Sequence, residues 1–211
     1  MEVLFFNELE STQTYLLEQI KSKKLLTPIA IMAKKQTAGI GSRDNSWEGG
    51  DGNLFFSFAV NIDDLPKDLP LNSVSIYFSY IMKEVLEKFS SDIWLKWPND
   101  LYYFKSKIGG IITKKIDSVL ICGIGINLKK NSNSFKALNL NIEADFLLES
   151  YLKELETYPS WKQIFSKYAL EFGKTRRVSA HIQGEYKSLA NAILSQDGSL
   201  IINNKRVYSL R

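Results

Sequence analysis

Residues 107–127 read KIGGIITKKIDSVLICGIGIN. Two runs rich in β-branched residues, Ile108–Ile116 and Ser118–Leu128, are separated by a single polar break at Asp117. Strands this close in sequence pair antiparallel, because a parallel return needs a crossover of a dozen or more residues. The pair therefore argues against a doubly wound parallel sheet and for an α+β chain with a mixed or antiparallel sheet.

The flanking sequence fits that frame. Val3–Phe6 and Ile29–Lys34 read as short buried strands, and Leu54–Ile62 as a longer one. Between the first two, Ser11 and Thr12 precede Tyr15, Leu16, Leu17 and Ile20, the pattern of an N-cap and an amphipathic helix. Leu71–Phe89, Ile142–Leu155 and Trp161–Phe172 carry apolar residues at helical spacing, and Ile93–Trp97 is a strand ended by Pro98. After Gly173 the texture changes. Short strand-like pieces, Arg177–Ile182, Leu189–Leu194, Leu200–Ile202 and Arg206–Tyr208, are punctuated by the turn pairs Asp197-Gly198 and Asn203-Asn204. We expect a main domain over 1–173 and a small β module over 174–211. Modules below ~40 residues rarely fold alone, so the second should dock on the first.

Composition narrows the function classes. The 211 residues carry a net charge of +4, too mild and too scattered for a nucleic-acid footprint but suited to small anions or an acidic protein partner. One cysteine, Cys122, and one histidine, His181, leave no material for an intrachain disulfide, a histidine-dependent triad or a His/Cys metal cluster. No apolar run approaches the ~20 residues of a membrane span, and the first residues lack the basic start and apolar core of a signal peptide. The expected location is the cytoplasm, with no DNA or membrane partner.

Four stretches have the composition of a binding cleft. Residues 36–53 form a polar segment with five glycines (39, 41, 49, 50 and 52), long enough to suggest function, although a plain surface loop also accounts for it. Lys96-Trp97-Pro98-Asn99-Asp100 ends a strand with opposite charges and an amide; Asn and Asp also simply favour turns. Lys107 precedes Gly109-Gly110 inside a strand, where glycine often marks close approach of a ligand or backbone. In Gly123-Ile124-Gly125-Ile126-Asn127, alternating glycines leave one strand face bare, able to receive a flat ring or dense packing.

Taken in order, these segments resemble the biotin protein ligase family over essentially the whole chain. The resemblance rests on Ser11-Thr12-Gln13, on the loop from Gly39 to Trp47 followed by Gly52-Asn53-Leu54, on Lys-Trp-Pro-Asn-Asp at 96–100, on Lys107–Ile111 and on Gly123–Asn127. It implies a class II aminoacyl-tRNA synthetase-like catalytic domain with a small SH3-like C-terminal domain. With no room for an N-terminal winged helix, the monofunctional class is expected. It implies ATP-dependent formation of biotinyl-AMP and transfer of biotin to a lysine of a biotin carboxyl carrier domain, with magnesium accompanying the ATP. Lys107 and Asp100 are implied as catalytic. Ser11, Thr12, Gln13, Gln36, Gly39, Ile40, Gly41, Ser42, Lys107, Gly109 and Gly110 are implied at biotin, and Arg43, Trp47, Lys96, Trp97, Asn99 and Asn127 at the nucleotide. Where the family commonly carries three loop arginines, this chain has Ile40, Ser42 and Asn45, with Arg43 offset by one position. Looser retention of the adenylate is the expected consequence. A lipoate-type ligase of the same fold and a non-catalytic biotin-binding regulator are the alternatives, and a sheet edge leaves a homodimer open.

Overall fold

A computed structural model of the chain describes residues 1–42, 45–47, 51–129, 137–138, 140–182 and 184–208. Arg43, Gly49 and Gly50 lie outside the described residues.

β1 (Glu2–Leu9) leads into α1 (Thr12–Lys21), whose N-cap is Ser11: its side chain accepts from the Thr14 N–H at 3.3 Å. β2 (Ile29–Gln36) runs parallel to β1. The glycine-rich segment contains a two-residue ribbon, β3 (Gly39–Ile40) against β4 (Ser46–Trp47), where only loop was expected. β5 (Leu54–Asn61) follows, then a 3-10 turn at Leu71–Ser73 and α2 (Val74–Glu87). β6 (Ile93–Lys96) and β7 (Asp100–Tyr103) form a hairpin across the Trp97-Pro98-Asn99 corner, and β8 (Ser106–Ile116) and β9 (Val119–Ile126) form the expected pair around Asp117. The seven strands order as β1-β2-β5-β9-β8-β7-β6, and every contact but β1–β2 is antiparallel, so of the two expected arrangements, mixed or antiparallel, the sheet is mixed.

Side chains alternate across a sheet, and both faces of this one are covered at its centre. Met32, Phe56, Phe58, Cys122 and Ile124 point into the larger core, against α2 and α3 (Ala144–Leu155). There Phe58 meets Phe78 edge-on with ring centroids 5.0 Å apart, and Phe56 meets Tyr151 at 5.4 Å. Ile29, Ile31, Ala59 and Ile121, of opposite parity, pack under Leu16 of α1 in a smaller cluster. Cys122 is fully buried, which pushes its thiol pKa well above the usual range and leaves it inert.

α4 (Trp161–Thr175) opens with a capping box between Ser160 and Gln163. The remaining strands are β10 (Ser179–Ile182), β11 (Glu185–Ser188), β12 (Ile193–Leu194), β13 (Leu200–Ile202) and β14 (Lys205–Val207), in a two-stranded and a three-stranded sheet. Their pairing differs from the expected pieces at β11, which is charged and mostly exposed and carries no hydrophobic alternation. The predicted turns are present: Asn203 and Asn204 take φ of 49° and 60°, the conformation of a tight hairpin turn, and Gly198 takes 78°. Ala180, Ile182, Leu189, Ala192, Leu200 and Ile202 join the main core. The 196–198 turn is gripped at its backbone: Trp161 Nε1 donates to the Gln196 carbonyl at 2.8 Å, Trp97 Nε1 to the Gly198 carbonyl at 3.0 Å, and Ser73 Oγ to the Asp197 carbonyl.

α2 and α4 are joined by an ion cluster around a buried lysine. Lys83, 3% exposed, contacts Glu87 at 2.8 Å and Glu171 at 3.2 Å. Burial raises the Glu171 pKa above its usual 4.5, partly offset by Lys83. A carboxyl raised in the fold favours the folded state below its unfolded pKa and loses that advantage as pH rises through its folded pKa. Removing the lysine strands this charge. Lys83→Ala is expected to cost roughly 3 kcal/mol in urea unfolding at neutral pH, with the loss shrinking as pH falls toward 4.5.

Candidate ligand-binding cleft

The sheet face that α1 covers at Ile121 is left open further along β9, where the residues of the same parity are Gly123 and Gly125. There the fold forms a cleft of about 520 Å³. Its lining combines the start of α1, the glycine-rich ribbon, the middle of the sheet and the β7–β8 hairpin. Of the residues singled out from sequence, it includes Ser11, Thr12, Gln13, Gln36, Ile40, Gly41, Ser42, Trp47, Asn99, Asp100, Lys107, Gly110 and Asn127.

At one part of the lining the polar groups are interlocked. Gln36 Oε1 accepts from the Thr12 backbone N–H at 2.8 Å and from the Thr12 hydroxyl at 3.1 Å, and Thr12 Oγ1 and Ser57 Oγ share a hydrogen bond of 2.9 Å. The backbone donor fixes the glutamine: its oxygen faces Thr12, and its amide nitrogen is left as a donor. Ser57 was not anticipated; the signal was a lone hydroxyl inside the apolar run of β5.

Elsewhere the lining is charged. Asp100 lies between two lysines, with Lys107 Nζ at 2.6 Å and Lys96 Nζ at 4.0 Å. β7 and β8 pair through Asp100 and Gly110, which sets the carboxylate beside Lys107, and a bulge follows at Leu101/Tyr102. Lys107 Nζ also lies 5.9 Å from the Trp47 ring centroid, within cation–π range. Burial, then Asp100, raises the Tyr102 hydroxyl to about 12. Asn99 is 2% exposed and donates through Nδ2 to the Ile111 carbonyl at 2.5 Å, while its own carbonyl accepts from Ile111 N–H at 3.0 Å. It therefore braces the corner as well as lining the cleft. Lys105 and Ser106 also line it and were missed, being ordinary hairpin residues by sequence.

Four of the expected ligand contacts sit elsewhere. Trp97, expected at the nucleotide, is outside the cleft lining and 1% exposed; its ring is enclosed in the core and bonded to the C-terminal turn. Gly109 is outside the cleft lining, and a Cβ there would stand 2.5 Å from Ile126 Cδ1 and 2.8 Å from the Gly125 carbonyl, so its bare face serves strand packing. Gly39 lets the Trp47 carbonyl come close, a Cβ standing 2.5 Å from it. Lys96 is outside the lining, 4.0 Å from Asp100 and over the Tyr102 ring at 5.4 Å.

A model of the biotin/lipoate A/B protein ligase family matches residues 5–131. The chain belongs to that family. Among solved structures, this ligase-family chain is similar to a biotin acetyl coenzyme A carboxylase synthetase from Helicobacter pylori with bound biotinylated ATP. The two are 44% identical, with a TM-score of 0.93 over 98% of this chain and 99% of that one. A biotin protein ligase from Aquifex aeolicus in complex with biotin and ATP shares the fold at 23% identity, with a TM-score of 0.72 over 100% of this chain and 96% of that one. The bifunctional ligase/repressor BirA of Salmonella typhimurium is 32% identical over 96% of this chain, and that of Escherichia coli 26% over 96%. The chain spans 63% of the length of each of those two proteins.

Trp47 rests on β9: a Cβ at residue 125 would stand 2.7 Å from its Cε2 and 2.9 Å from its Nε1. The ring is rigid, so it must move if that space is filled. Gly125→Ala is expected to push the indole off the strand. The emission of Trp47, taken as the difference between each protein and its Trp47→Phe counterpart, should shift to the red; an unchanged difference spectrum would contradict this seat.

Proposed function

We propose that the chain is a biotin protein ligase. Biotin's carboxylate oxygen attacks the α-phosphorus of ATP and pyrophosphate leaves, giving biotinyl-AMP. The ε-amine of an acceptor lysine, on a biotin carboxyl carrier domain, then attacks the mixed anhydride, forming the amide and releasing AMP. The observation that carries this reading is Lys107, a partly exposed cation on the cleft, held at 2.6 Å by Asp100 and facing Trp47. Both reactants of the first step are anionic, and a fixed cation between them lowers their repulsion and stabilises the charge that develops on the phosphoryl oxygens.

The interlocked group of Thr12, Gln36 and Ser57, with Ser11 also on the lining, supports a ureido head, which presents both donors and an acceptor. Ile40, Gly41 and Ser42 would lie along the acyl chain, and Trp47, Asn99 and Asn127 toward the nucleotide. Asp100, released from Lys107 as substrates bind, is placed to orient the incoming amine, which attacks in its neutral form. Magnesium would travel with the triphosphate. Among the described lining residues Asp100 is the one carboxylate, already engaged by two lysines, so those residues do not form a metal site. Among the described residues no helix is long and apolar enough to cross a membrane; the buried, unpaired Cys122 suits a reducing compartment, the cytoplasm.

The test is ATP-dependent transfer of biotin to a carrier domain. Lys107→Ala should lower the rate on the order of a hundred-fold or more with the fold intact; full activity would remove Lys107 from the reaction. A second expectation concerns the loop. Ser42 lines the cleft where the family commonly places an arginine. Ser42→Arg should slow release of biotinyl-AMP, and equal off-rates in the two proteins would refute that role.

A further inference from the structure

The charges that line the cleft are unevenly placed. The ribbon contributes Ile40, Gly41, Ser42, Asn45, Ser46 and Trp47, none of them charged, and α1 and the floor contribute only neutral groups. Among the described lining residues the ionic ones, Asp100, Lys105 and Lys107, all belong to the β7–β8 hairpin. Asp100 is matched to Lys107 at 2.6 Å. Lys105 is exposed, lines the cleft and makes no ion pair among the described residues, so its charge is not offset by a carboxylate. The tip that carries it is held in place. Phe104 and Lys105 connect Tyr103 to Ser106, which pair across the hairpin. Phe104 takes φ of 51°, a left-handed conformation that a bulky side chain adopts only under constraint. Its N–H donates to the Asp92 carbonyl at 3.2 Å, and its carbonyl accepts from Trp94 Nε1 at 2.7 Å. Both backbone polar groups of Phe104 are thus anchored beside β6. That fixes the start of Lys105, two positions before Lys107 and about 7 Å from it along an extended chain.

We propose that Lys105 is the cation that takes up the pyrophosphate leaving group, while Lys107 serves the α-phosphate. This deepens the ligase reading and rests on it. In the first step the new bond joins biotin's carboxylate oxygen to the α-phosphorus. The bond from that phosphorus to the oxygen bridging to the β-phosphate breaks, and the bridging oxygen keeps the electron pair. Charge therefore grows on the pyrophosphate as it leaves, and a cation already fixed beside it stabilises that change. Lys107 faces the carboxylate and the α-phosphate, and Asp100 offsets part of its charge. The second step involves no pyrophosphate, so Lys105 matters to one half-reaction only.

The experiment compares the full chain with Lys105→Met, which keeps an unbranched stem without the charge, and Lys105→Arg, which keeps the charge. Two rates are read: biotin-dependent exchange of pyrophosphate into ATP, and transfer from synthetic biotinyl-AMP to a carrier domain. Lys105→Met should lower kcat/KM for ATP in the exchange, and the affinity for pyrophosphate as an inhibitor, each roughly ten-fold or more. Transfer from biotinyl-AMP, inhibition by AMP and the unfolding midpoint should stay at wild-type values. Lys105→Arg should recover most of the exchange rate, and the gap between wild type and Lys105→Met should narrow in high salt, which screens an exposed cation. Equal exchange by the wild type and Lys105→Met, a loss shared by both steps, or no recovery with arginine would overturn the leaving-group role and leave the ligase reading in place. A wild type that neither exchanges pyrophosphate nor transfers biotin would overturn both together.

Discussion

The organisation of the molecule follows from one constraint, the two-residue period of β9. Its even-numbered positions, Leu120, Cys122, Ile124 and Ile126, are committed to the large core. Its odd-numbered positions begin with Val119 and Ile121 at the cluster under α1 and continue with Gly123 and Gly125. A side chain at either glycine would collide with Gln13 or Trp47. The strand can therefore be a packed core element on one face and the floor of a cleft on the other. Because the period is strict, a slip of one residue would exchange those faces and destroy both.

Around that floor, three separate pieces of chain are brought together. The cap of α1 delivers Ser11, Thr12 and Gln13; the ribbon closes on itself through Gly39↔Trp47 and returns the indole to the sheet; the β7–β8 pairing delivers Asp100 and Lys107. Each piece is positioned by backbone pairing or capping rather than by the ligand-facing atoms. The cleft thus combines a fixed polar framework with side chains, Gln13 and Trp47, whose buried polar atoms are unmatched among the described residues.

Much of this was legible in the sequence because it depended on local pattern. The β-branched runs gave β8 and β9, the Ser11 cap gave α1, and the asparagine pair gave the last turn. Lys107 and Asp100 stood out as charges beside strand-breaking glycine and proline. What was hidden depended on distant partners. β7 is four residues after a turn, too short to show alternation, and β11 is polar. Trp47 and Trp97 are the same residue type in comparable settings, yet one reaches the cleft and the other the core. The difference is made by the 196–198 turn, a hundred residues away from Trp97. Gly109 and Gly125 likewise look alike in sequence, and only their neighbours in space, Ile126 and Trp47, tell a packing glycine from a floor glycine.

The grip on the C-terminal turn has an evolutionary corollary. Trp161, Ser73 and Trp97 all donate to main-chain carbonyls, those of residues 196, 197 and 198 in succession. Carbonyl oxygens are common to every amino acid, so these three bonds ask nothing of the side chains there; Gly198 is held by other demands, a φ of 78° and Ser73 in the place of a Cβ, and Asp197 by its carboxylate's bonds to Ser199 and Arg206. Length is another matter. Inserting or deleting one residue would put every carbonyl out of phase with its donor, and the corner that carries Asn99 and Asp100 would lose the clamp on its neighbouring indole.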